Sequence, residues 1–178
     1  EPGLNVLPPG VERHVINAGG LTGLQIFPDD EIEIVNDEGN QICEIICFDK
    51  NGKSEPGILN QKENAKRSFI KEILKRKDES SLITNLQLKK RNLDINKSKS
   101  TILFDDNTPS GEIIKIKSKD KCYVIFSAPQ NDMLVSEQNP SSDLTIFIKR
   151  AKIVNDKELS IIPDPIFEPN FEKNIDRQ

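Results

Sequence analysis

Apolar and polar residues alternate in short runs along most of this chain, the period of strands that keep one face wet. Val11-Glu12-Arg13-His14-Val15-Ile16 reads as a first strand, broken by Ala18-Gly19-Gly20. Residues 21–27 resume the extended pattern until Pro28-Asp29-Asp30, a turn signal. Residues 24–36 and 41–49, joined by Asp37-Glu38-Gly39-Asn40, predict a β-hairpin, with Gly39 supplying the positive φ that a tight turn requires. Its first arm ends in the alternating Glu31-Ile32-Glu33-Ile34-Val35, and its second, 42–48, is apolar enough to be a buried strand. Asp49-Lys50-Asn51-Gly52-Lys53 closes it with another turn. Further strands are expected at 101–104, 112–117, 121–128 and 143–150, and a last extended run at 158–162. The most hydrophobic of these, 121–128, should lie centrally and end at Pro129.

The period changes midway. In 61–76, Ala65, Phe69, Ile70, Ile73 and Leu74 recur at three and four residues and predict an amphipathic helix. Residues 80–91 predict a second short helix, with Leu82, Ile83 and Leu86 on one face. Short strands around one or two inserted helices give a mainly β (α+β) fold, an antiparallel β-sandwich or barrel. A single β-rich domain is expected over 1–162, opening on an extended arm, 1–10, where Pro8 and Pro9 fix φ and remove donors. Pro163, Pro165 and Pro169 make 163–178 a Pro-rich linker, expected to lead to a following domain.

At 178 residues the chain is long enough for one domain with a real core. Its net charge of -4 and pI near 5.2 offer no basic face, so nucleic acid is not an expected partner. Its apolar stretches fall far short of the ~20 residues that span a bilayer, so no membrane insertion is expected. The amino end, Glu1-Pro2-Gly3-Leu4-Asn5, has neither a basic n-region nor an apolar h-region and does not begin with Met, so it reads as a trimmed start or a fragment. Three cysteines, an odd number at irregular spacing, fit reduced thiols and a cytoplasmic setting.

Candidate chemistry is sparse. Cys43 and Cys47 on one strand would point the same way roughly 13 Å apart, too far to share a zinc ion, and are expected in the core with Cys122. His14 is the sole histidine, so a Cys-His pair would need it to meet a thiol in space. Asp29-Asp30-Glu31 and Asp105-Asp106 read as solvated turns without the spacing of a calcium loop. Residues 18–23 are glycine-rich but lack the order of a phosphate loop and read as a turn. Lys62, Lys66, Lys71, Lys75, Arg76 and Lys77 interleave with Glu63, Glu72, Asp78 and Glu79, the pattern of an ion-paired solvent face. No catalytic, cofactor-binding or metal residue is assigned from these patterns.

Three stretches together carry a resemblance. Asn17-Ala18-Gly19-Gly20 ahead of 32–41, where Asp37, Gly39 and Gln41 stand in an aspartate-x-glycine-x-glutamine pattern, resembles the opening of the urea carboxylase-associated family. Residues 121–132 resemble that family's strand with its Ser-x-Pro-Gln-like ending, here Ser127, Pro129 and Gln130. Residues 170–178 look like the joint before a second copy of the fold in larger proteins. Those proteins are similar to folate-dependent aminomethyltransferases of the T-protein type and include trimethylamine-oxide demethylases of marine bacteria. The family often continues toward an aspartate after the glutamine, whereas this chain has Cys43 and Glu44, and it lacks the cysteine clusters of metal-binding members, so no metal ligand transfers.

The resemblance implies an amino-terminal, non-catalytic structural or assembly domain of a folate-linked demethylase or lyase in one-carbon metabolism. That parent would release formaldehyde from an N-methylated amine or amine oxide. Zinc and tetrahydrofolate would sit on other domains, and the partners would be the following domains of the polypeptide and further copies in a homo-oligomer. A free-standing binding or scaffold module is the alternative. A small metal enzyme using Cys43, Cys47, Cys122 and His14 is a third reading, which would require stoichiometric zinc lost on Cys→Ser substitution.

Overall fold

The computed structural model describes residues 7–105, 107–130 and 141–152. Its strands are β1 (Val11–Ile16), β2 (Leu21–Ile26), β3 (Glu31–Asn36), β4 (Cys43–Asp49), β5 (Ser100–Leu103), β6 (Glu112–Lys117), β7 (Cys122–Ser127) and β8 (Leu144–Lys149). Helices α1 (Phe69–Leu74) and α2 (Glu79–Lys90) lie between β4 and β5. One four-stranded sheet runs β1-β8-β3-β6 and the other β2-β7-β4-β5, antiparallel throughout. The pairings nest: β4 with β5, β3 with β6, β2 with β7, β1 with β8. This is a long hairpin wound into a jelly roll, a β-sandwich with inserted helices.

Strand alternation decides which residues meet between the sheets. In β3, Ile32 and Ile34 point inward and Glu31 outward; inside they join Ile45, Cys47, Val124, Phe126, Ile146 and Ile148 in one buried cluster. Strands β4 and β7 are buried on both faces, which accounts for their near-continuous apolar runs. Their second faces, Ile46, Phe48, Tyr123 and Ile125, pack under Ile70, Ile73, Leu74 and Leu88 of the helices, so the molecule has three layers. Glu44, fully buried on that second face, is satisfied by the Ser68 hydroxyl at 2.7 Å, the Ser100 hydroxyl at 2.6 Å and the Ile70 N–H at 2.8 Å. It thereby anchors the start of α1, whose N-cap is Ser68, to the sheet beneath.

Three expectations need correction. The hairpin predicted over 24–36 and 41–49 does not form: 24–36 holds parts of two strands, and β3 and β4 belong to opposite sheets. Glycine at 39 and polar neighbours ensure a reversal, but inward-facing side chains on both strands are buried better when the chain arches from one sheet to the other. The helix expected over 61–76 shrinks to α1, because the segment before it lies along the edge of β5. Asn64 N–H donates to the Ser100 carbonyl (3.1 Å), Ile102 N–H to Asn64 Oδ1 (2.7 Å), and the Thr101 hydroxyl to the Lys62 carbonyl (2.8 Å), occupying groups an open edge would leave bare. The Leu82, Ile83 and Leu86 face of α2 turns outward, while Ser81, Thr84 and Leu88 are buried. Asp30 is buried rather than solvated. The run expected at 158–162 and the linker 163–178 lie outside the described residues.

Candidate functional site

The residues behind the resemblance, Asp37, Gly39 and Gln41, come together where β3 arches over to β4. Asp37 Oδ2 accepts from the Thr145 hydroxyl at 2.7 Å, and its carbonyl accepts from the Ser110 hydroxyl at 2.8 Å. Gly39 sits at φ +79, and a Cβ there would lie 2.7 Å from both Ser110 N and Thr108 O, so backbone presses on backbone with no room for a side chain. Gln41 is buried; its Nε2 donates to the Pro129 and Ile42 carbonyls, each at 2.8 Å, and its Oε1 accepts from Ser142 N–H at 2.8 Å. Asn36, fully buried, donates Nδ2–H to the Gln41 carbonyl at 2.7 Å. One amide thus ties the arch to the end of β7 and the approach to β8. These contacts brace loops, and none presents a nucleophile or a free acid.

Arg150, just past β8, organises the opposite end of the sandwich. Its Nε and Nη2 donate to the two oxygens of Glu12 at 2.9 and 3.0 Å, while Nη1 donates to Asp30 Oδ2 at 2.6 Å and the Gln25 carbonyl at 2.9 Å. Asp30 also accepts from Phe27 N–H and Ala151 N–H, each at 2.9 Å. Burial works against the Glu12 carboxylate, but hydrogen bonds from His14 and Arg150 outweigh it and hold its pKa at about 2. His14 bonds Glu12 at 3.1 Å on β1, so its contact is a carboxylate rather than a thiol.

The thiols point into the sandwich. Cys47 and Cys122, diagonal neighbours across β4 and β7, share a hydrogen bond, and Ser118 Oγ lies 3.6 Å from the Cys122 sulfur. Burial drives the Cys43 thiol well above its ordinary range; the bond to Cys122, followed by burial, does the same to Cys47. The same bond from Cys47 holds the Cys122 thiol below its ordinary range, while Cys43 and Cys47, kept protonated among isoleucines, are poor nucleophiles and poor ligands. Among the described residues no three His, Cys, Asp or Glu side chains group as a metal site, and a donor set of apolar-packed thiols with His14 on the other sheet does not fit zinc. Asp105 accepts from Asn107 N–H at 2.9 Å within its own turn. Gly23 belongs to β2, where a Cβ would fall 1.9 Å from the Tyr123 hydroxyl oxygen.

A recess of about 200 Å³ opens beside α1, lined by Arg67, Phe69, Glu72, Ile73 and Arg76 and by Pro129 and Gln130. Arg67 forks onto Glu72 at 2.7 and 2.9 Å and lies 4.8 Å above the Phe69 ring, and its hydrogen bonds hold the Glu72 carboxyl below its ordinary range. Arg76 Nη1 donates to the Gly19 carbonyl at 2.9 Å. This volume is below the ~300 Å³ at which ligand pockets usually begin. Sequence spacing could not have found the recess, because it joins residues 67–76 to 129–130 through the helical layer. Arg150 was equally hidden, since all of its acidic partners lie more than a hundred residues away in sequence. No helix among the described residues is long and apolar enough to cross a membrane.

No protein-family model matches the chain. It is 31% identical over 169 residues to a trimethylamine-oxide aldolase of Ruegeria pomeroyi. The match takes in 95% of this chain and 21% of that protein, so the chain spans about a fifth of the length of the curated relative it matches.

Proposed function

We propose that this chain is the amino-terminal, non-catalytic assembly domain of a larger demethylase of the trimethylamine-oxide aldolase kind. The parent releases formaldehyde from an N-methylated amine or amine oxide, and other domains carry its zinc and the folate-linked one-carbon transfer. The observation that carries this reading is the match itself, 31% identity along 95% of the chain against a fifth of a much longer relative. Its domain role draws support from the filled interior, whose inward groups are mostly isoleucines and other apolar side chains with three buried thiols, and from a motif spent on loop bracing.

Formaldehyde release from trimethylamine N-oxide by the full-length protein tests it. Cys43→Ala, Cys47→Ala and His14→Asn should each keep kcat within about twofold of the parent's. A loss of about a hundredfold or more in any of these, with the fold intact by circular dichroism, would place chemistry on this domain and refute the assembly role. No formaldehyde from any N-methylated amine or amine oxide would refute the parent activity instead.

A further inference from the structure

Helix α2 is built inside out. Its buried face carries Ser81, Thr84 and Leu88, and its outer face shows Leu82 and Ile83 each 54% exposed and Leu86 67% exposed. The polar choice within is explained by local bonds: the Ser81 hydroxyl donates to the Ile73 carbonyl at 2.7 Å, and a small residue lets α2 approach α1. Nothing in the described fold explains three large aliphatic side chains on adjacent outer turns, where single exposed apolar residues are the ordinary case.

The charges at the two ends of this stripe supply the reason. At 100° per residue, Glu79 and Lys90 lie on the same face as Leu82, Ile83 and Leu86, one before the apolar stretch and one after it, with Lys89 alongside. All three charged residues are exposed, and among the described residues none is in an ion pair. The order along the outer face is acid, apolar, base, and this order is complementary to itself when reversed.

We infer that the outer face of α2 is the surface through which two copies of this chain associate, the helices antiparallel about a two-fold axis near Ile83 and Thr84. In that arrangement Leu82 of each copy meets Leu86 of the other, and Glu79 meets Lys89 and Lys90. The contact is isologous, so it closes on itself at two copies. A single helix pair is smaller than a standard stable interface, so the association by itself is weak and concentration-dependent. The inference is independent of what reaction, if any, a longer polypeptide performs.

Sedimentation velocity of the full chain over roughly 1–200 µM tests it. A reversible dimer is expected, abolished by Leu86→Glu, whose site is too exposed for the change to unfold the monomer. Glu79→Lys alone should weaken the dimer about tenfold, and adding Lys89→Glu and Lys90→Glu should restore it, a rescue that requires the antiparallel register. Ile83→Cys, close to the axis, should cross-link two copies on mild oxidation by oxidised glutathione. A monomer at every concentration overturns the inference, as does a dimer indifferent to Leu86→Glu and to the charge swap. A monomer in which the thiol introduced by Ile83→Cys resists alkylation also overturns it, since another part of the polypeptide would then cover the helix.

Discussion

Gln41 shows how much one buried amide can hold. Its three hydrogen bonds reach the residue after it, the end of β7 and the approach to β8. Gln41→Ala strands two carbonyls and an N–H away from water and should cost about 2–3 kcal/mol, read as a lowered urea midpoint at constant m-value. The neighbouring Asp37 and Gly39 were legible in the sequence as a recurring pattern, and the positive φ of Gly39 followed from its type. Their partners were not legible, because Thr108, Ser110 and Thr145 lie about 70 to 110 residues further on. The same limit hid the difference between Asp29 and Asp30. Both are turn residues by composition, but only Asp30 meets a guanidinium, and that guanidinium arrives from the far end of the chain.

Among the elements, strands were legible and their neighbours were not. Alternation marks a strand wherever one face is buried, so the eight strand positions agree with the reading from sequence to within a residue or two. It does not say which sheet a strand joins, and the turn at 37–40 served an arch as readily as a hairpin. The stripe Phe69, Ile70, Ile73 and Leu74 did mark a buried helix face, but residues 61–67 were claimed by the edge of β5. In α2 the helix was legible and its orientation was not, because a stripe of aliphatics says that a face wants cover without saying by what. Leu88→Ala should therefore cost about 2–4 kcal/mol in urea unfolding, and Leu82→Ala, on the same helix, under about 0.5 kcal/mol.

Taken whole, the molecule is pinned at both ends, by Gln41 at one and by Arg150 at the other. The Arg150 clamp gives a pH dependence whose sign is fixed. The Glu12 pKa is about 2 in the fold against an ordinary 4.5, so its contribution is complete above about pH 4.5 and is lost as the pH falls toward 2. Because the Glu12 side chain is 41% exposed, the contribution is about 1 kcal/mol or less. Melting temperatures of the parent and Glu12→Gln should differ most near pH 5.5 and converge by about pH 2.5. The nested pairing sets a timetable for folding as well. Among the described residues strand β1 hydrogen-bonds only β8 and β2 only β7, so a growing polypeptide can start the sandwich at β4 and β5 but cannot seal it until Lys149 has been synthesised. The roll winds from its middle outward: β2 stays an unpaired edge until β7 has been made, and β1 until β8 follows it.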